Sequence, residues 1–217
     1  MGGRAGGEAM ASKIGLKAEH RVARFENIIP GILGGKMDVG ESSVTDTVVR
    51  EQKVDFVNYY VAGIQWASAA GKVVDPNNAC GLKVAVQATT YQDTVELPAK
   101  SAACVAAGKP AIKKVSLDTQ DAAANAVVLG QADAFSADSP VTLYGLIQLK
   151  GKLQTAGKTF EAAPYGMAVA KGASMAKAVQ AALQSMVDDG SYAKILGKWG
   201  VSDGGLKKIT INAAANG

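Results

Sequence analysis

Residues 42–50 read SSVTDTVVR: four hydroxyl side chains and an acid fill five of the first six positions, and an arginine closes the stretch. Taken alone, these residues allow two readings. One is a polar turn, with Asp46 as turn and cap residue and Arg50 as a surface arginine ending a short helix. The other is a ligand-facing turn, whose hydroxyls combine with helix N–H donors and a positive dipole end. A second hydroxyl turn follows at Ala88–Thr90, where Thr89 and Thr90 can cap the next helix. Asp138 precedes Ser139-Pro140 and fits the N-cap of a further helix. One histidine, His20, and no CxxC pair argue against a metal centre, and no cofactor is expected.

The elements that would carry these residues alternate between strand and helix patterns. A helix fits Gly7–Ile14, and HRVARF at 20–25 alternates as a strand. FENIIPGILGG reads as a loop and short helix, with Pro30 in its first turn. MDVGE, VDFV and GIQWASAA read as strands. A second cycle runs LKVAVQ, an alanine-rich helix over 90–107, AIKKVSLD, TQDAAANAVVLG and ADAFSA, then a helix over 139–149. KLQTAGKTF and PYGMAVA follow as strands, then helices at Ser174–Asp188 and Ser191–Trp199, and ITI as a last strand. This rhythm predicts an α/β protein of parallel sheets with helices on both faces, and polar turns at the carboxyl ends of strands. Two such lobes would enclose a cleft.

The chain has 217 residues, 48% apolar and 19% charged, enough for one large domain or two lobes with a sizeable core. The net charge of +4 is dispersed over pairs such as Lys113-Lys114 and Lys207-Lys208, so no nucleic-acid partner is expected. No signal peptide is recognised, and MGGRAGG resembles a leader or expression remnant. Cys80 lies just before a strand pattern and Cys104 near the end of the helix after it. A disulfide between them would add roughly 3 kcal/mol and favour an oxidising compartment; two unpaired buried thiols are the alternative. Trp66 and Trp199 read as core.

GGKMDVGESSVTDTVVREQKVDFV resembles the bacterial extracytoplasmic solute-binding proteins that serve amino-acid ABC importers. FENIIPGIL, QATT, ADAFSADSP, PYGMAVAKG and ILGKWGV resemble further segments of that family, in order, so the likeness spans roughly residues 8–211. It implies a periplasmic-binding-protein-like fold (type II), with two lobes each built on a mostly parallel sheet flanked by helices. The first lobe would comprise residues 1–61 and 166–217, the second 62–165. The resemblance makes Ser42 and Ser43 the small pair ending a strand, Thr45 a backbone donor, and Arg50 the bidentate clamp on a ligand carboxylate. Phe25 would wall the ligand side chain, Thr89 and Thr90 would form the second lobe's turn with Thr90 as carboxylate donor, and Asp138 would hold the ammonium. The implied function is capture of a small amino acid or related zwitterion for ABC-type import, in a periplasmic or extracytoplasmic, cell-surface setting, with importer membrane subunits as partners. No enzyme is expected.

Two departures stand out. The family begins with a strand before the first helix, where this chain has only MGGRAGG, so an N-terminally shortened first lobe is expected. An unfilled interior strand position allows three outcomes: the sheet closes up around the gap, another copy of the chain supplies a strand or an edge pairing, or the first lobe is loose and binds ligand poorly; an exposed sheet edge favours the second, self-association into a homo-oligomer. Ala88 stands where the family's turn has glycine. Rival readings are a shortened descendant acting as an oligomeric binding or scaffold module, and a cyclohexadienyl dehydratase-like enzyme. The enzyme needs a protonated carboxyl, and Glu41 is the one acid at a plausible place, though nothing in its sequence surroundings demands a raised pKa.

Overall fold

A computed structural model describes residues 3–214. The chain divides into two compact units, residues 1–62 with 163–217, and residues 63–162. The fold is α/β, with helices α1 (Gly3–Lys13), α2 (Ile28–Leu33), α3 (Val48–Glu51), α4 (Leu97–Ala106), α5 (Gln120–Val128), α6 (Ser139–Gln148), α7 (Ser174–Asp188) and α8 (Ser191–Lys198). Its strands are β1 (Val39–Thr45), β2 (Val54–Ala69), β3 (Lys83–Gln87), β4 (Lys113–Leu117), β5 (Ala134–Asp138), β6 (Leu153–Ala170) and β7 (Gly205–Ile211). Among the described residues no helix is long and apolar enough to cross a membrane.

In the first unit β1 pairs antiparallel with β6, from Val39 opposite Val169 to Thr45 opposite Tyr165. β7 pairs antiparallel with β2, Val57 facing Ile211. Helix α7 closes this unit because Ala176, Val179, Ala182, Leu183 and Met186 recur at helical spacing and are all buried. They pack with Val57, Tyr59, Met167 and Val169. A second cluster, Ile28, Ile32, Val44, Val54, Phe56 and Ala168, sits under β1 and α2. Gly166 is required there, since a Cβ would stand 2.7 Å from the Cβ of Phe56.

In the second unit β3 pairs parallel with both β4 and β5, and β5 pairs antiparallel with β2. The parallel character thus lies in the β3–β4–β5 core, where crossover helices α4 and α5 connect the strands, and the sheet as a whole is mixed. Trp66 is fully buried, and its indole N–H donates to Glu96 Oε1 at 2.8 Å. Cys80 and Cys104 form a disulfide that closes a loop of sequence separation 24. Replacing both by serine is expected to lower stability by roughly 3 kcal/mol in urea denaturation. An unchanged midpoint would show that the loop is held by packing alone.

Several sequence expectations change. HRVARF forms no strand: residues 16–24 carry no regular secondary structure, Phe25 opens a short 3-10 turn, and Val22 is fully exposed. Alternation alone does not make a strand without a neighbour to bond. VDFV and GIQWASAA are one strand, β2, and KLQTAGKTF and PYGMAVA are likewise one strand, β6. Gly63 does not interrupt β2; a Cβ there would meet Thr159 Cγ2 at 2.5 Å and Phe160 O at 2.9 Å, so glycine allows close approach of β6. The first helix begins at Gly3, so most of the supposed leader is helical. Trp199 is 48% exposed and is not core.

Candidate functional site

The hydroxyl-rich stretch is strand rather than turn. β1 continues through Ser42, Ser43 and Thr45 because Val44 and Thr45 are buried and still pair with β6. The register slips between Gly40 and Val44, where two extra residues of β1 bulge from the ladder. Ser43 sits in that bulge with φ of 50°, a left-handed conformation uncommon for serine. The buried Tyr59 hydroxyl lies beside it. Burial raises the Tyr59 pKa, which keeps that phenol neutral. Ser42, the other member of the pair, is exposed.

Beyond β1 the chain turns into α3, capped by Thr47, whose hydroxyl accepts from the Arg50 N–H at 3.2 Å. This cap fixes the start of the helix and hence the direction of Arg50. The Arg50 guanidinium donates to the Thr45 carbonyl at 2.8 Å and lies 5.9 Å from the centroid of the Phe25 ring. Three of the residues singled out in the sequence therefore meet in the first unit: Phe25, Thr45 and Arg50. An aromatic face orients the cation, and the Thr45 carbonyl anchors its planar fork.

The loop between Thr45 and Arg50 is anchored through Asp46, read from the sequence as a turn and cap residue; the cap is Thr47, and Asp46 is held by partners that the sequence did not mark. Asp46 is buried; its Oδ2 accepts from Asn58 Nδ2 and from the Ala213 N–H, both at 2.9 Å. Burial, with Glu51 nearby, pushes the Asp46 carboxyl up to about 6. Ala214 N–H donates to Glu51 Oε1 at 3.0 Å, and Asn212 Nδ2 to Asp55 Oδ1 at 3.0 Å. Residues 212–214 thus stitch Asp46, Glu51 and Asp55 together around the arginine. Asp46 serves as an anchor in this network.

In the second unit a π-helical turn, Gln92–Glu96, precedes α4. Such turns alter which side chains face inward and often occur at functional sites. Gln92, Asp93 and Glu96 are all buried as a result. Gln92 Nε2 donates to Asp138 Oδ1 at 2.7 Å. Asp93 accepts from the Thr89 N–H at 2.9 Å and from Ser116 Oγ at 3.0 Å, and pairs with Lys114 at 2.8 Å. Burial alone would raise its pKa, but Lys114 and these donors hold it below the ordinary value. Thr90 Oγ1 donates to the Gln87 carbonyl at 2.7 Å and accepts from the Asp93 N–H at 3.3 Å. Thr89 itself is left-handed, with φ of 63°.

Thr90 therefore does cap its helix, whereas Asp138, at the N-cap of α6, makes no side-chain cap bond. Its carboxylate is directed to Gln92 instead. Gln92 and Asp93, adjacent in sequence, link Asp138 to the Thr89–Thr90 turn. Neither was marked by the sequence; the spacing that brings them inward exists only in the wide turn.

Glu41 corrects one sequence reading. Its surroundings do demand a raised pKa: burial pushes it up to about 7 from an ordinary 4.5. The carboxyl packs against the backbone of Gly7, where an added Cβ would lie 2.6 Å from Glu41 Oε2, and beside His20. Because the folded protein binds this proton more tightly than the unfolded chain, the group costs nothing below pH 4.5. It destabilises increasingly as pH rises from 4.5 to about 7, and fully above that. Glu41→Gln is expected to raise stability by roughly 1–2 kcal/mol at pH 8 and to leave it unchanged at pH 4. Equal effects at both pH values in urea titrations would rule this out.

Residues 7–202 match the family described as bacterial extracellular solute-binding proteins, family 3. The chain belongs to this family. It is 39% identical over 206 residues to the arginine-binding protein ArgT of Corynebacterium glutamicum, covering 94% of this chain and 68% of that protein. It is 31% identical over 188 residues to the ABC transporter glutamine-binding protein GlnH of Bacillus subtilis, covering 84% of this chain and 65% of that protein. The chain thus spans about two thirds of the length of these relatives. Among solved structures, an ancestral arginine-binding protein bound to arginine superposes with a TM-score of 0.79 at 31% identity, over 88% of this chain and 84% of that one.

Proposed function

We propose that this family 3 protein captures an amino acid outside the cytoplasm, in the periplasm or at the cell surface, and delivers it to the membrane subunits of an ABC importer. The single observation that carries the proposal is the convergence of Phe25, Thr45 and Arg50 behind the β1 bulge. Arg50 with the Thr45 backbone N–H takes the ligand carboxylate, Phe25 lies along the ligand side chain, and Ser42 and Ser43 border it. Asp138 takes the ammonium, oriented by Gln92, and Thr89 and Thr90 complete the second unit's contribution. Charge pairing at both ends of a zwitterion gives specificity more surely than net affinity.

Arginine and glutamine are the first ligands to test, since relatives and a structural neighbour carry those names. Calorimetry of the folded protein against all twenty amino acids is expected to give saturable heat with at least one. No heat with any would refute a working receptor. The raised Glu41 pKa supplies the protonated carboxyl that prephenate dehydration would need, so a phenylpyruvate assay belongs beside the calorimetry. Binding is the better reading, because Glu41 packs on Gly7 and His20 rather than on Arg50 and Thr45. The first unit's sheet edge at β1 further supports self-association into a homo-oligomer.

A further inference from the structure

Gln92, whose amide donates to Asp138, stands on a wide helical turn whose placement along the sheet must be fixed by other bonds. Glu96 closes that turn and is only 3% exposed. Both of its oxygens are engaged: Oε1 accepts from the Trp66 indole N–H at 2.8 Å, and Oε2 accepts from Ser136 Oγ at 2.6 Å. Trp66 and Ser136 are themselves buried and face each other across the β2–β5 ladder. Asp138 lies two residues further along β5, opposite Ile64, and so shares a face of the sheet with Ser136. Glu96 and Gln92 therefore reach successive positions on one face of β5, the first at Ser136 and the second at Asp138.

A buried carboxylate is not needed here for packing. Leu97 beside it is buried in one apolar cluster with Ile64, Trp66 and Ala134, and holds the start of α4 against the sheet. Burial raises the Glu96 pKa, against the pull of the Ser136 and Trp66 hydrogen bonds and of Lys100, and with the push of Glu161. An apolar side chain of similar volume often serves stability as well as a buried charge does. Directed bonds add what apolar contact lacks, a fixed register. A slip of α4 by one residue, about 1.5 Å along its axis, would break both bonds of Glu96. Near the far end of α4 the Cys80–Cys104 disulfide restrains the same movement.

We propose that Glu96 is the positioning residue of the ammonium site: its bonds to Trp66 and Ser136 fix where Gln92 stands along β5, and thereby how the Asp138 carboxylate is held. The proposal rests on the reading above, in which Asp138 takes the ammonium of an amino acid. Glu96 acts through Gln92 and not by touching the amino acid. Its influence is confined to the ammonium end, because the Thr89–Thr90 turn has its own anchor in Asp93, which is fixed to β4 by Ser116 and Lys114.

The test is a double-mutant cycle between Gln92 and Glu96, read by calorimetry with the twenty amino acids, arginine and glutamine first. Glu96→Ala is expected to weaken binding about tenfold in the wild-type background and less than about twofold in Gln92→Ala, where the orientation it supports is already lost. Glu96→Gln is expected to stay within about threefold of wild type, because its carbonyl accepts from Trp66 and its amide donates to Ser136 Oγ. Ser136→Ala removes one anchor and carries the cycle if Glu96→Ala does not fold; its loss of about threefold should likewise vanish in Gln92→Ala. A purely structural role would make the losses multiply. Multiplying losses, or wild-type affinity in Glu96→Ala, overturn the role of Glu96 and leave the receptor reading standing. No heat from folded wild type with any amino acid overturns the receptor reading and this proposal with it.

Discussion

Arg50→Ala is expected to weaken amino-acid binding by about 2–5 kcal/mol, a loss of thirtyfold to several thousandfold. The proposed role is carboxylate binding, and truncation would leave that anion without its cation in a site of low polarity. Arg50→Lys keeps the charge but loses the planar fork and the stacking on Phe25, so it should recover only part of the loss. The effect on folding should stay small beside the effect on binding, because the side chain is half-buried rather than part of the core. Calorimetry with whichever amino acid binds wild type, run beside urea denaturation, separates the two effects. Wild-type affinity in Arg50→Ala would remove the arginine from the site.

Phe56→Ala should be the most damaging single truncation in the first unit, costing about 3–5 kcal/mol in urea denaturation. Phe56 is fully buried among Ile28, Ile32, Val44, Val54 and Ala168, with Gly166 flat against its ring. No neighbouring side chain on Gly166 can swing in to refill the space, so the cavity would persist. The same cluster supports α2 and β1, which place Phe25 and Thr45, so ligand binding should weaken as well. A loss below about 1 kcal/mol would mean that the site collapses freely, contrary to this packing.

Much of this was legible in the residues, for identifiable reasons. Helices ended where glycine stops stood, the Pro30 and Pro140 segments tolerated proline near helix starts, and Cys80 and Cys104 bracketed a strand and helix that could bring them together. Phe25, Thr45 and Arg50 could be picked out because the short spacing from Thr45 to Arg50 holds them in one capped turn. What stayed hidden depended on partners that no local pattern records. HRVARF alternates, yet strand identity requires a bonded neighbour. Ser42 and Ser43 looked like a turn because polarity was visible and the bulge was not. The inward set Gln92, Asp93 and Glu96 follows from one wide helical turn, and the Glu41 pKa from burial against Gly7, a contact between distant positions.

The discontinuity of the first unit has a temporal consequence. On the ribosome, the 100 residues from Gly63 to Ala162 form a contiguous unit that can fold as soon as it emerges. The opening 62 residues cannot do so, because β6, α7 and β7 supply their core and are translated afterwards. Even then Asp46 holds only the Asn58 amide until the Ala213 N–H arrives as its second donor, so the arginine loop gains its full set of anchors only after β7 has been made.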